Sequence, residues 1–328
     1  MRPVASLLGT LLVTLAVVFI AASGVSLAQP AYPSRPGKVI VPSSAGGGID
    51  IIGRVVSEIL SNATGQQFYV ENRSGAGNMI GIEAVAKAEA DGYTLLFAAS
   101  PLTINHLTYK NIAYDAVRDF APITLVASVP SVLIVDPRLP IRSVADFLAE
   151  AKRRPGDMTY GSAGLGTNPH MSMELLKSMA GLDMRHVAYR GTGPALVDVI
   201  GGSIACMIAP LVSAKSQVDA GSVRVLAVTG RTRSPSLPEV PTLDEAGVPG
   251  YETLQWYGML APANTPPAIV SRLHGLVAAA LGTAELKKRL ELEGGVPVGN
   301  TPAEFAAFIK DEMTKWGELA KVAKLSGN

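Results

Sequence analysis

The sequence predicts an α/β fold of two lobes, each containing a doubly wound and mostly parallel sheet. Short apolar segments of strand length alternate with amphipathic helical segments, which is typical of a parallel sheet covered on both faces. This alternation occurs once before residue 130 and again after it. In both halves a glycine-rich turn connects a strand to the next helix, and open α/β sheets bind small ligands at such turns.

In the first half, apolar runs mark three strands, and helical spacing marks two helices. Ile52, Val55 and Ile59 recur on one face of the first helix, whereas the loop 72–78 is rich in glycine and polar residues. The predicted elements, in order, are a strand at 38–41, a helix at 49–62, a strand at 68–70, a helix at 79–88 and a strand at 94–99.

The second half repeats this plan with clearer helix boundaries. Ser143 is a typical helix N-cap, Pro155-Gly156 ends that helix, and Gly181 ends the next one. The predicted strands are 132–135, 158–161, 185–188, 204–209 and 223–228, and the predicted helices are 143–153, 169–179, 194–200 and 212–220.

A proline-rich linker and a helical C-terminal segment complete the chain. The last helix begins with a capping box, in which Thr301 and Glu304 are three residues apart and Pro302 takes the first helical position. The predicted elements here are the linker 231–250 with a short helix near Asp244, an extended segment at 253–260, and helices that begin near Thr265, Thr283 and Thr301.

The composition excludes several classes of protein. Of 328 residues, 48% are hydrophobic and 17% are charged, so the chain has enough apolar residues for a sizeable core and does not have the composition of a disordered protein. Lys and Arg number 28 against 27 Asp and Glu, and this balance argues against a nucleic-acid-binding protein. The single cysteine, Cys206, excludes an intrachain disulfide and a cysteine-based zinc site.

The N-terminus has the pattern of a secretory signal peptide. Arg2 precedes an apolar run over residues 4–22, and Ser26-Leu27-Ala28 places small residues where signal peptidase cleaves. We therefore predict a signal peptide at 1–28 and export to the periplasm. The alternative is a transmembrane anchor, because the run approaches the length that spans a bilayer. The polar, proline-rich stretch that follows favours the signal peptide.

Three glycine-rich turns precede predicted helices and are candidate anion sites. They cover residues 42–48, 161–168 and 189–193, and the first two share the pattern Ser-Ala-Gly-x-Gly. Glycine lets a ligand approach the backbone closely, and a helix N-terminus presents free N–H groups and the positive end of the helix dipole. Such turns on both lobes would hold the two ends of an anion in a cleft between them. The alternative is that each turn is only a tight connection with a helix cap.

Patterns typical of catalysis or of a bound cofactor are missing from the sequence. The glycine-rich turns lack the Gly-Lys-Ser/Thr of a phosphate-binding loop, and there is no Gly-x-Ser-x-Gly elbow of a serine hydrolase. His170 and Glu174 lie one helical turn apart and suit a shared metal ion, but no third ligand is evident. We therefore predict no catalytic residue, no metal site and no cofactor.

Short motifs spread over nearly all of the mature chain carry a family resemblance. They are residues 32–36, 45–50, 70–77, 91–96, 119–122, 186–191, 226–229 and 257–262. Together these motifs make the chain resemble the periplasmic solute-binding proteins of the tripartite tricarboxylate transporters, often called the Bug family. The resemblance implies the two-lobed fold of periplasmic binding proteins, with lobe 1 at 32–129 and 252–328 and lobe 2 at 130–251.

The resemblance also implies a small organic carboxylate ligand, held in the cleft largely by backbone amides and ordered water. The ligand loops of the family match residues 43–50, 100–105, 162–170 and 191–192 of this sequence. The implied ligand-binding residues are Ser43, Ser44, Ala45, Gly46, Gly47, Asp50, Ser100, Asn105, Ser162, Gly164, Thr167, Asn168, His170, Gly191, Thr192 and Ala209.

The resulting functional hypothesis is a monomeric binding protein that captures a carboxylate for a transporter with two integral membrane subunits. Neither an enzyme nor a nucleic-acid-binding protein is expected. One alternative is a periplasmic sensor that reports its ligand to a signalling receptor. The other is a secreted hydrolase, which the missing nucleophile and base argue against.

Two departures from the family pattern concern the ligand. Ser43 stands where many members have Phe, and Ala209-Pro210 stands where many have Asp-Asn. Because alanine offers no carboxylate to a ligand ammonium, this predicts a preference for carboxylic acids without an amino group. The alternative is that position 209 lies outside the cleft and has no effect on the choice of ligand.

Overall fold

A computed structural model describes residues 32–292 and 294–322, so the predicted signal peptide lies outside the described residues. The chain divides into two compact units, Met1–Ser34 and Arg35–Asn328, and the elements reported below all belong to the second. In that unit, ten strands form one sheet of mixed direction. The strands are β1 Gly37–Val41, β2 Phe68–Asn72, β3 Thr94–Ala99, β4 Phe120–Val135, β5 Thr159–Ser162, β6 Arg185–Ala188, β7 Cys206–Pro210, β8 Arg224–Val228, β9 Leu254–Pro262 and β10 Val296–Pro297.

The order β2-β1-β3-β9-β4-β7-β5-β6 gives the sheet two halves that meet at β4, with β8 and β10 also paired to β4. Strands β2, β1 and β3 are parallel in one half, and β6, β5 and β7 are parallel in the other. Strands β4 and β9 run antiparallel to their neighbours. The predicted α/β class with mostly parallel halves is thereby confirmed.

Strand β4 has 16 residues and changes partners along its length. Its first part pairs with β9 as far as Pro130, and Ser131 begins the pairing with β7. From the sequence, only 132–135 was predicted as strand. Prolines are unfavourable inside a strand because they lack an N–H. Pro122 lies beside a register shift, and Pro130 occupies the last pair with β9, which are positions where a missing N–H is tolerated.

The helices largely match the predicted ones, with two differences. They are α1 Gly48–Thr64, α2 Met79–Ala86, α3 Pro101–Thr108, α4 Val144–Arg153, α5 Asn168–Ala180, α6 Thr192–Gly201, α7 Leu211–Asp219, α8 Pro267–Leu281, α9 Ala284–Leu292 and α10 Pro302–Val322.

Helix α3 was missed because its first five residues are all buried, so no amphipathic spacing reveals it. The prediction of a short helix near Asp244 was wrong, because this segment forms only turns. Thr242 caps the first turn by accepting the Glu245 N–H at 3.0 Å, and Gly247 with φ +107° ends it.

Each half of the sheet has a hydrophobic core of its own. One core surrounds Phe147, Tyr160 and Tyr251, and the other surrounds Trp256 and Phe305. Phe305 lies near the start of α10 and packs edge-on against Trp256, with ring centroids 5.9 Å apart.

Among the described residues, no single helix has the length and apolar composition needed to cross a membrane. The pair Pro267–Leu281 and Ala284–Glu291 meets that test only together, with a bend of 77° between the two helices.

Candidate functional site

A small cavity, partly open to solvent, is lined by residues from both halves of the sheet. Among the described residues that line it, none carries a charge, and small or polar side chains predominate. The lining residues are Ser43, Gly47, Gly48, Ile49, Asn78, Ala99, Pro101, Ala163, Thr167, Asn168, Pro169, Thr192, Pro210, Gln255 and Tyr257.

Six helices begin at this cavity. The N-caps of α1, α2, α5 and α7 line it directly, as does the first residue of α3 and of α6. Within the described chain, none of these six helices has a hydrogen bond from its first turn to an N-cap side chain. The positive dipole ends of these helices therefore lie at an uncharged cavity, which is an arrangement that favours an anion. In α2 the Met79 N–H already donates to the Ala76 carbonyl oxygen at 3.1 Å, and in α3 the first residue, Pro101, has no N–H.

Three helices that begin away from the cavity do have side-chain caps. The hydroxyl groups of Ser143, Thr283 and Thr301 accept a first-turn N–H of α4, α9 and α10, at 3.1–3.3 Å. Helix α8 also lacks such a cap, but it begins with Pro266-Pro267 and does not contribute to the cavity lining. Side-chain caps are thus present on three of the four described helices that begin away from the cavity and missing from the six that begin there.

Asp50 holds the backbone of the first glycine-rich turn, 42–48, in place. Its carboxylate accepts the Gly46 N–H at 3.0 Å, Arg54 Nε at 2.9 Å and Asn72 Nδ2 at 3.0 Å. Burial acts to raise the pKa of Asp50, but these hydrogen bonds outweigh it and keep the pKa below its usual value. Asp50 is thus an ionised positioning residue, and Arg54 beside it is already paired.

In the second glycine-rich turn, 161–168, some of the predicted residues line the cavity, and others hold the turn in place by hydrogen bonds. Thr167 and Asn168 line the cavity. Ser162 accepts the Gly164 N–H at 3.1 Å, and His170 Nδ1 accepts the Gly166 N–H at 3.2 Å. Ser162 and His170 therefore position the turn from behind.

Behind this turn, two histidines stack in a buried cluster. The ring centroids of His170 and His186 are 4.3 Å apart, and His186 Nε2 lies 2.6 Å from Ser162 Oγ. Burial lowers the pKa of His170 to about 3 and that of His186 to about 4, so both are neutral near pH 7. Glu174 accepts hydrogen bonds from Tyr160 and Lys177. Both His170 and Glu174 thus already have partners other than a metal ion.

The first and third glycine-rich turns, 42–48 and 189–193, contact each other beside the cavity. The Ser44 N–H donates to the Arg190 carbonyl oxygen at 3.3 Å, and a Cβ on Gly191 would overlap Ser44 Oγ. Thr192 lines the cavity, and its N–H lies 3.9 Å from the position of a Cβ on Gly47. The N-termini of α1 and α6 therefore converge from opposite halves of the sheet.

The remaining predicted residues lie near the cavity but do not line it. Ala45 and Gly46 are exposed, whereas Ser100 and Asn105 are buried and contact Gln255 and the Gly77 carbonyl oxygen. Ala209 is fully buried within β7, and its neighbour Pro210 forms part of the lining. Sequence reasoning named Pro210 only beside Ala209, and it missed Asn78, Gln255 and Tyr257. Gln255 and Tyr257 lie on β9, far along the chain from every glycine-rich turn.

Beside the cavity, Gly77 of one loop packs against Leu165 of another, and this contact can be tested. Gly77 has φ +58°, and a Cβ there would overlap the Leu165 carbonyl oxygen and lie 2.6 Å from Tyr109 Oη. We expect Gly77→Ala to weaken ligand binding about tenfold or more, measured by calorimetric titration, because the added methyl group separates the two loops.

The matched control for Gly77→Ala is Gly65→Ala. Gly65 has a similar φ of +69°, but a Cβ there meets no atom within 4 Å. This variant should lose about 1 kcal/mol of stability from backbone strain and keep its affinity. Equal affinities in the two variants would contradict a role for the Gly77–Leu165 contact in binding.

The comparisons with known proteins agree with this geometry. The profile of the tripartite tricarboxylate transporter family receptors matches residues 52–325. Protein BugT of Bordetella pertussis strain Tohama I is 34% identical over 308 residues, which cover 93% of this chain and 94% of BugT.

Two solved structures from Rhodopseudomonas palustris are also similar. Rpa4515 with adipate has a TM-score of 0.89 and 38% identity, covering 90% of this chain and 100% of that one. MatC with bound malate has a TM-score of 0.84 and 29% identity, covering 88% of this chain and 99% of that one. These matches confirm the two-lobed type of α/β fold and a role in solute binding instead of catalysis. The chain belongs to the tripartite tricarboxylate transporter receptor family, whose members include the Bug solute-binding proteins.

Proposed function

We propose that this protein captures a small organic carboxylate in the periplasm and delivers it to a tripartite transporter with two integral membrane subunits. The observation that carries the proposal is the convergence of six helix N-termini without side-chain caps on a cavity whose described lining residues carry no charge. A hydrogen bond to a charged group contributes about 1.5–3 kcal/mol, so several together reach the roughly 8 kcal/mol of micromolar binding. The adipate and malate bound by two solved relatives support the same ligand class.

The proposal includes two lobes, at 32–129 with 252–328 and at 130–251, that close on the ligand as a monomer. The change of partners in β4 between Pro130 and Ser131, and the separate cores of the two halves, support this division. A hinge at these two residues would let the helix N-termini of both halves approach one anion.

Export to the periplasm forms a separate part of the proposal. The Arg2 start, the apolar run and the Ser26-Leu27-Ala28 pattern support a signal peptide that is cleaved after Ala28. N-terminal sequencing of the protein from a periplasmic extract should begin at Gln29. A protein that keeps its first 28 residues and stays with the membrane would contradict this part.

We expect the bound carboxylate to lack an amino group. Among the described residues that line the cavity there is no Asp or Glu, and the nearby carboxylate of Asp50 is paired with Arg54. An ammonium buried there would be without a counter-charge, which is costly. In calorimetric titrations, succinate or benzoate should bind, and aspartate and glutamate should bind at least about 100-fold more weakly. Tight binding of either amino acid, with no binding of the amine-free acids, would refute the preference.

The function itself is best tested by identifying the ligand. Native mass spectrometry of the purified protein should reveal a co-purified carboxylate, and a thermal-shift screen of carboxylic acids should give a stabilised complex. A screen in which no carboxylate raises the unfolding temperature, together with turnover of an ester in proportion to protein, would replace the binding role by a hydrolase.

A further inference from the structure

Two buried hydroxyl groups, one in the cavity wall and one behind it, have no hydrogen-bond partner among the described residues. Tyr257 is 1% exposed and lines the cavity, and Ser213, in the first turn of α7, is 8% exposed. A buried hydroxyl without a partner is unfavourable, so such a group at a binding cavity is expected to pair with the ligand. The other polar wall residue of β9, Gln255, already donates to the Trp256 carbonyl oxygen at 2.9 Å.

Gly48 brings these hydroxyl groups against the start of α1. A Cβ on Gly48 would overlap the Tyr257 hydroxyl and lie 3.0 Å from Ser213 Oγ and 2.9 Å from Val212 Cγ1. Both hydroxyl groups therefore pack closely against Gly48, at the start of α1 and near its first N–H groups. Stacking on Phe97, with ring centroids 6.3 Å apart, fixes the Tyr257 ring in this position.

We propose that Tyr257 and Ser213 form a specificity pair that recognises an oxygen substituent, a hydroxyl or keto group, next to the ligand's carboxylate. This inference rests on the proposed function, since it places the carboxylate at the N-terminus of α1. Both groups are neutral, and a tyrosine hydroxyl donates one hydrogen bond while a serine hydroxyl donates or accepts. They therefore suit a hydroxyl or keto oxygen without the need for a second charge.

The same geometry argues for selectivity against acids that lack this oxygen. Burial raises the pKa of the Tyr257 hydroxyl, which stays protonated and needs an acceptor. An unsubstituted acid leaves this donor unpaired in the complex, and sites built to hydrogen-bond a substrate oxygen discriminate strongly against analogues without it.

The test compares matched acids with and without the oxygen: succinate with malate, glutarate with 2-hydroxyglutarate, and butyrate with 2-hydroxybutyrate. By calorimetric titration, the wild-type protein should bind the hydroxylated member of at least one pair about tenfold or more tightly. Tyr257→Phe should reduce this ratio to near one by weakening only the hydroxylated acid, and Ser213→Ala should reduce it in the same direction.

Tyr251→Phe is the matched control. Tyr251 is equally buried, but its hydroxyl donates to the Ser172 carbonyl oxygen at 2.8 Å, within the core of the other half of the sheet. This variant should unfold at a lower temperature than the wild type and keep the ligand ratio, whereas Tyr257→Phe should unfold at the same temperature or higher.

Two outcomes would overturn the proposal, and they differ from each other. A hydroxylated-to-unsubstituted ratio that Tyr257→Phe leaves unchanged, or equal losses for both acids, would refute the specificity pair while leaving carboxylate binding intact. The wild-type protein binding none of these six acids or any other carboxylate would refute the proposed function and the pair with it.

Discussion

Replacing Gly47 with valine should weaken carboxylate binding by more than about 100-fold while leaving the fold intact. Gly47 is the N-cap of α1 with φ −80° and ψ 164°, a conformation that any residue adopts. A Cβ there would meet the Ser44 carbonyl oxygen at 3.5 Å and Ser43 Oγ at 3.8 Å, which are ordinary contacts. The valine methyl groups would instead occupy the space between the N-termini of α1 and α6, where the anion needs to reach the amides.

Calorimetric titration with the best ligand of a thermal-shift screen measures this effect, and circular dichroism confirms folding. Gly275→Val, in the interior of α8, is the matched control, because a Cβ on Gly275 meets no atom within 4 Å. It should bind the ligand like the wild-type protein.

Arg73→Ala separates a backbone anion site from an arginine clamp. The Arg73 guanidinium lies 2.5 Å from Glu71 and does not line the cavity, so its loss should change affinity less than about threefold. If Arg73→Ala weakens binding more than Gly47→Val does, the helix N-termini are not the main anion site.

Much of the fold was predictable because its signals are local. Gly181 ends α5 in the left-handed conformation, and the capping box of Thr301 and Glu304 begins α10, as the sequence predicted. Each signal depends on the hydrogen-bonding or conformational freedom of one or two side chains. The full length of β4 was hidden, because Pro122 and Pro130 fit it only through a register shift and a change of partner that tertiary pairing determines.

The site was predictable as a set of turns but not as a set of wall residues. A glycine-rich turn before a helix identifies a place where N–H groups are free, and the three turns contain Gly47, Thr167 and Thr192, which the family resemblance implied and which line the cavity. Whether a polar side chain in such a turn faces the cavity or supports it from behind depends on residues distant in sequence. His170 faces His186 because β6 lies beside β5, and neither the turn nor α5 encodes that pairing.

Tyr257 is a wall residue that the sequence alone does not single out. All but the first residue of β9 is buried, so the strand lacks the alternation that would single out one wall residue. Its hydroxyl becomes a site candidate only in the folded chain, where it packs against Gly48, which also contacts Ser213.

The buried histidines predict a steep loss of stability in acid. An unfolded histidine has a pKa near 6.5, whereas His170 and His186 titrate near 3 and 4 in the folded protein. Below about pH 6.5 the unfolded chain therefore binds more protons than the folded one, and the free energy of unfolding falls as pH falls. The contribution is complete above pH 6.5 and is lost progressively down to about pH 3. Each histidine should contribute roughly 2 kcal/mol of loss between pH 7 and 4.5, since one pKa unit is about 1.4 kcal/mol.

Ligand binding by the folded protein should not follow this loss down to pH 4.5, because His170 stays neutral there. It should weaken only near pH 3, where protonation of His170 Nδ1 removes the acceptor of the Gly166 N–H and releases the second turn. His186, Glu174 and Lys177 are the ionisable groups around it, and the nearby positive charge of Lys177 disfavours the protonated form further. Urea unfolding from pH 7 to pH 4.5 measures the slope in the wild-type protein and in His170→Gln, which keeps a hydrogen-bond acceptor but does not titrate. We expect a lower stability at pH 7 and a flatter pH dependence in His170→Gln. If both proteins lose the same free energy of unfolding over this range, His170 does not carry the acid sensitivity.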